Sequence, residues 1–165
     1  HTRAYTYMRV HGAEGLREVA RHAVLNANYV RVKLQDDYHI PYNRPCGHEF
    51  VLEGRFEGVD EVHALDISKR LIDYGYHPPT NYFPLIVNEA LLIEPTETED
   101  KQTLDGFVEA MKQIAKEARE NPALLREAPH TAPVRRVDEV KAAKQLVLCC
   151  RPIPAPERAK NEQAS

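Results

Sequence analysis

The 165-residue chain carries 22 basic and 25 acidic residues, and its net charge of −3 argues against a nucleic-acid binder driven by counterion release. Apolar residues at 42% and charged residues at 28% are globular proportions, and no apolar run approaches the roughly 20 residues of a membrane span. The length suits one ordinary domain, and three cysteines, an odd number, read as reduced thiols in a cytoplasmic protein. Twelve prolines stand out, six of them between Pro122 and Pro156.

The first element expected is an amphipathic helix over about Ala13–Leu34. Leu16, Val19, Ala20, Ala23, Val24, Ala27, Val30 and Leu34 recur three or four apart, the stripe of a core helix. Gly12 and Gly15 make a loose start, and Thr2–Val10 reads as a short preceding helix. Asp36–Pro45 is loop by composition. His48–Glu53 follows as a strand with His48, Phe50 and Leu52 on one face, closed by Gly54 and Gly58. Val59–Tyr74 reads as a second helix, with Gly75 where a left-handed C-terminal cap belongs.

Tyr76-His77-Pro78-Pro79-Thr80 must be irregular, because Pro79 holds Pro78 extended. Leu85–Val87 and Ala90–Ile93 read as two short strands around a tight turn, ended by Pro95. Thr96 and Glu99 have capping-box spacing for a third helix, whose apolar face carries Leu104, Phe107, Val108, Met111, Ile114, Ala115 and Ala118. Beyond Asn121, short helices are expected at Pro122–Glu127 and Val137–Lys144, a strand at Leu146–Cys150, and disorder from Ala155 onward. This order predicts an α+β fold, a short sheet with helices on one face. The expected boundaries are a small domain over 1–120 and a Pro-rich arm over 121–165, draped over this domain or over a partner.

No Walker loop, GxGxxG or CxxC occurs, and no histidine pair has the helical spacing of a zinc site. Cys149 and Cys150 are adjacent and read as plain thiols. Gly47-His48-Glu49 places an imidazole beside a carboxylate at a strand start, which suits acid–base chemistry or a hydrogen-bonded core histidine. His77-Pro78-Pro79-Thr80 holds two polar side chains on a stiff loop, which suits either binding or a rigid turn.

Four segments in order, Gly15–Tyr29, Gly47–Phe50, Lys69–Thr80 and Glu94–Lys101, resemble the C-terminal part of the glycine decarboxylases. Ala128–Ala143 is similar to subunit 2 of the bacterial two-subunit form. That family is the pyridoxal-phosphate component of the glycine cleavage system. The resemblance implies the small C-terminal domain of a type I, aspartate aminotransferase-like fold with a mostly antiparallel sheet. It also implies an enzyme that decarboxylates glycine on pyridoxal phosphate and passes the aminomethyl group to the lipoyl carrier H-protein. Subunit 1, in a heterotetramer, is the implied partner; neither nucleic acid nor membrane is.

No lysine suited to the Schiff base is found, so the chain is expected to be an inactive piece of the enzyme that binds no cofactor alone. His1 in place of an initiating methionine points the same way. The other possibility is a stand-alone regulatory or scaffolding domain without catalysis. Carried onto this chain, the family motifs nominate His48, Glu49, His77 and Thr80 as residues facing the cofactor cleft. Arg44 is a candidate partner for a substrate carboxylate through its bidentate geometry. The face turned toward the rest of the parent is expected to be apolar and bare.

Overall fold

The computed structural model describes residues 1–147. Helix α1 (Thr2–Leu34) is followed by strand β1 (Phe50–Glu53), helix α2 (Ala64–Asp73), strands β2 (Thr80–Asn81) and β3 (Ala90–Ile93), helix α3 (Lys101–Glu120) and the short helices α4 (Pro122–Arg126) and α5 (Glu139–Lys144). The strands form one antiparallel sheet in the order β1-β3-β2. The expected α+β architecture, with helices on one face of a short sheet, is therefore present.

Period-2 alternation decides which face the helices take. Phe50, Leu52, Leu91 and Ile93 point inward and join one core with Val30 and Leu34 of α1, Ile67 and Leu71 of α2, and Met111 and Ile114 of α3. The core continues through Leu125 of α4 and is flanked by Ala128, both with no exposed surface. Val51 and Ala90 point the other way and pack only with Val87 and the partly buried Leu92. The outer face of the sheet thus carries no helix.

The predicted stripe of α3 is buried as read, with Phe107 at its margin. Its cap is Asp100, whose carboxylate accepts the Thr103 N–H at 2.7 Å, and not the Thr96–Glu99 box. Thr96 instead accepts the Glu99 N–H in a turn, one step too early to start the helix. Helix α2 begins at Ala64 and not at Val59. Phe56 and Val59 bridge across a turn with Gly58 at φ 76°, and Asp66 then accepts the His63 N–H at 2.9 Å to fix the start. Gly75 does adopt a left-handed φ of 82° after α2.

Helix α1 departs furthest from its stripe. It breaks at Gly12, with φ 62°, which separates the expected short helix from the long one. Burial is confined to Ala27, Val30, Arg31 and Leu34. Leu16, Val19 and Ala23 are half-buried, while Tyr5, Met8, Val10, Val24 and Leu25 are exposed. The sheet and α3 meet only its last turns, so the rest of the apolar stripe stays half-buried or exposed.

Strand β1 starts at Phe50, leaving His48 ahead of it. Its partner β3 ends at Ile93, and Pro95 lacks the N–H that a longer ladder needs. The predicted strand at Leu85–Val87 is absent. The partner of β3 is Thr80–Asn81, with Thr80 opposite Leu92 and Asn81 opposite Leu91. Pro84 cannot donate to the ladder, and its carbonyl accepts the Val87 N–H in a turn that leaves Leu85 and Ile86 87% and 80% exposed. In the last part, α4 and α5 match the two short helices to within two residues at each end. Leu146 and Val147 lie outside any strand, and Leu148–Cys150 and the tail from Ala155 fall outside the described residues. No helix among the described residues is long and apolar enough to cross a membrane.

Candidate functional site

The outer sheet face organises the residues singled out in the sequence. Register places Val51, Leu92 and Thr80 in one row across the three strands. One step further along the same alternation come Glu49 on the β1 side and Glu94 on the β3 side. Two clefts flank Leu92. The first, about 430 Å³, is lined by Tyr76, His77, Thr80, Glu94, Thr96 and Phe107 among others. The second, about 530 Å³, is lined by Tyr42, Arg44, Gly47, Glu49 and Phe83. Leu92 lines both.

The structure therefore brings His77 and Thr80 together in one cleft, and Arg44 and Glu49 together in its neighbour. His48 lines neither, but its Nε2 lies 3.7 Å from Glu94 Oε1 at the rim of the first. Both of those side chains are 58% exposed, so solvent screens the pair and it adds little to stability. The alternative of a core-buried histidine is excluded, because His48 stands in solvent. Thr80 is on the edge strand β2, and the two prolines before it leave its side chain on the open face.

Sequence reasoning missed Tyr42, Tyr76 and Glu94 as members of this face. For Glu94 a signal was available: if Phe50 and Ile93 face inward opposite one another, their neighbours Glu49 and Glu94 must face outward together. Tyr76 is placed by Gly106 of α3. Its hydroxyl occupies the space that a Cβ at Gly106 would fill, and its ring meets Phe107 edge-on at 5.5 Å. Gly106→Ala is expected to swing Tyr76 into the first cleft. The helix gains about 1 kcal/mol of propensity, which offsets the displaced contact, so the melting temperature should move by only a few degrees. Thermal denaturation of the variant checks this.

A third cleft, about 670 Å³, lies at the start of α2 and is lined by Glu53, Arg55, Glu57, Asp60, His63 and Glu89 among others. Its helix terminus is already occupied from within, since Glu89 Oε2 accepts the Ala64 N–H at 2.7 Å. No group of three or more metal-ligating side chains is found among the described residues. No lysine lines either outer-face cleft. Lys101 is bound to Asp105, which pushes its ammonium pKa up, away from the neutral amine that Schiff-base chemistry needs. The two clefts thus do not fit a covalently held pyridoxal phosphate.

Residues 19–130 match the family model described as glycine dehydrogenase, C-terminal domain. The chain belongs to this family. The glycine dehydrogenase relatives it resembles include proteins named probable glycine dehydrogenase (decarboxylating) subunit 2. That of Lysinibacillus sphaericus is 60% identical over 146 residues, covering 88% of this chain and 30% of that protein. That of Caldanaerobacter subterraneus is 59% identical, with the same coverage. That of Chlorobaculum tepidum is 57% identical over 150 residues, covering 90% of this chain and 31% of the relative. The chain thus spans about 30% of the length of the curated relatives it matches.

Proposed function

We propose that the chain is the small C-terminal domain of a pyridoxal-phosphate-dependent, type I-fold glycine dehydrogenase subunit 2, and that its outer sheet face lines the active-site cleft of the complete enzyme. The observation that carries this reading is convergence: Arg44 and Glu49 come from one segment and His77 and Thr80 from another, yet they line two clefts that share Leu92, the first of them reaching from the sheet onto Phe107 of α3. Identity near 60% to proteins about three times as long favours a part of an enzyme over a stand-alone scaffolding domain.

In this reading the complete enzyme decarboxylates glycine on pyridoxal phosphate, a cofactor that serves as the electron sink, and hands the aminomethyl group to the lipoyl arm of the carrier protein. Subunit 1 is the partner, and the location is the cytoplasm. The contribution of this chain is positional. Pro78 and Pro79 stiffen the loop that presents His77 and Thr80, so little freedom is lost when substrate orders them. The His77 ring nitrogens can hold or give a proton, and the Thr80 hydroxyl can donate to an anionic oxygen. Arg44 offers two parallel N–H groups to a carboxylate.

The test is kinetic, on the complete two-subunit enzyme with its carrier protein. His77→Ala and Thr80→Ala are each expected to lower glycine-dependent CO2 exchange by roughly tenfold or more, the scale of a lost orienting or proton-transfer group. Because His77 and Thr80 are both exposed, melting temperatures should stay at the parent value. Unchanged exchange rates in both variants would retire the assignment.

A further inference from the structure

The segment from Pro41 to Glu49, which carries Arg44, His48 and Glu49, has almost no backbone structure of its own. Outside the strand ladder it holds one turn bond, from the Arg44 N–H to the Tyr42 carbonyl at 2.8 Å. What orders it comes from α1. The Asn28 side chain accepts the Cys46 N–H at 3.0 Å and donates to the Cys46 carbonyl at 2.9 Å, pairing with that residue as a neighbouring strand would. Its second amide hydrogen goes to the Val24 carbonyl at 2.9 Å, so every polar group of Asn28 is committed.

One turn further along α1, Arg31 donates to the Asn43 side-chain oxygen. Arg31 is only 7% exposed, its buried Nε has no hydrogen-bond partner, and no carboxylate lies within 4 Å of it among the described residues. A guanidinium in that state is costly to the fold. An apolar side chain of the same length would pack the site at less cost, so stability does not account for an arginine there. Its single specific bond is the hold on Asn43, and Asn43 immediately precedes Arg44.

We propose that Asn28 and Arg31 are positioning residues: together they clamp residues 43–46 to α1 and thereby fix where Arg44, His48 and Glu49 stand on the outer sheet face. This rests on the reading of that face as the active-site side of the enzyme. The clamp acts across 12 and 18 residues of sequence and touches no cleft itself, so its variants should change geometry without removing a reacting group.

The experiment uses the complete two-subunit enzyme and two readouts, amide hydrogen exchange by mass spectrometry and glycine-dependent CO2 exchange. Asn28→Ala and Arg31→Met should each speed amide exchange across 43–49 at least tenfold while leaving 101–120 unchanged. Both should lower turnover roughly tenfold. Arg31→Met should keep or raise the melting temperature, which a merely structural arginine would not do. Adding Asn28→Ala to His48→Ala should cost less than a further twofold, because the two act through one element. Unchanged amide exchange across 43–49 overturns the clamp. Faster exchange with normal turnover, in an enzyme that His77→Ala and His48→Ala do impair, overturns its positioning role. Normal turnover in those two histidine variants themselves removes the reading of the face, and the positioning role with it.

Discussion

Glu117→Ala is expected to destabilise the domain by about 3–5 kcal/mol, the cost of removing one partner from a buried ion pair. Glu117 sits on α3 with 9% of its surface exposed and accepts from three side chains, Arg70, Tyr74 and Gln113. Arg70 of α2 donates from Nε at 2.9 Å and from Nη2 at 3.2 Å, and the Tyr74 hydroxyl donates at 2.6 Å. Arg70 also donates to Asp73 at 3.0 Å and lies 5.0 Å from the Tyr74 ring centre. Without Glu117, a guanidinium that is 15% exposed keeps only Asp73, and the Tyr74 hydroxyl loses its acceptor. Glu117→Gln preserves volume and one acceptor and should cost roughly half as much. Urea denaturation of the three proteins at pH 7 measures both differences.

The same cluster sets the acid limit of the domain. Burial pushes the Glu117 carboxyl up, but the Arg70 and Tyr74 hydrogen bonds outweigh it and hold the group below the usual glutamate range. Burial likewise works against Asp73, and bonds from Thr131, the His130 N–H and Arg70 again prevail and lower it. Carboxyls with depressed folded-state pKa contribute stability that is fully present above their unfolded values of about 4. That stability is lost as pH falls through the folded values beneath. Stability measured from pH 7 downward should therefore stay level to about pH 5 and then drop, and Glu117→Gln should shallow that drop.

Period was the legible quantity in this chain. The stripe on α3 identified its buried face because α3 has the core on one side and solvent on the other. The same kind of stripe on α1 continues far beyond the residues the domain covers, since period reports an apolar face and not what lies against it. Strand β3 was legible from Ala90–Ile93, whereas β2 was not, because two residues after a proline pair carry no alternation to read. Tertiary polar bonds left the faintest trace. Glu117 and Arg70 are 47 residues apart, and nothing near either one marks the other. That His77 and Thr80 sit exposed on a rigid segment was legible because their proline loop is a local feature. The commitment of Asn28 and Arg31 to a loop could not, since both sit on a helix that reads as a core element.

Gly54→Ala is expected to cost about 2–3 kcal/mol, as overpacking of a tight contact does. Gly54 follows β1 and extends its ladder by donating to the Glu89 carbonyl at 2.7 Å. A Cβ there would lie 2.7 Å from the Ala64 Cα, 2.8 Å from its Cβ and 3.0 Å from Leu91 Cδ1. The first of these is backbone, in the opening residue of α2, so no rotamer change relieves it. Either α2 withdraws from the sheet or β1 gives up its last ladder bond. Both movements disturb the outer face, because β1 carries Val51 and borders Glu49. For a domain of this size the penalty corresponds to a fall in melting temperature of roughly 5–10 °C. Gly106→Ala meets only the tip of a tyrosine side chain and should lose far less, so the two glycine variants, melted side by side, test whether backbone contact decides the outcome. Equal losses would show that it does not.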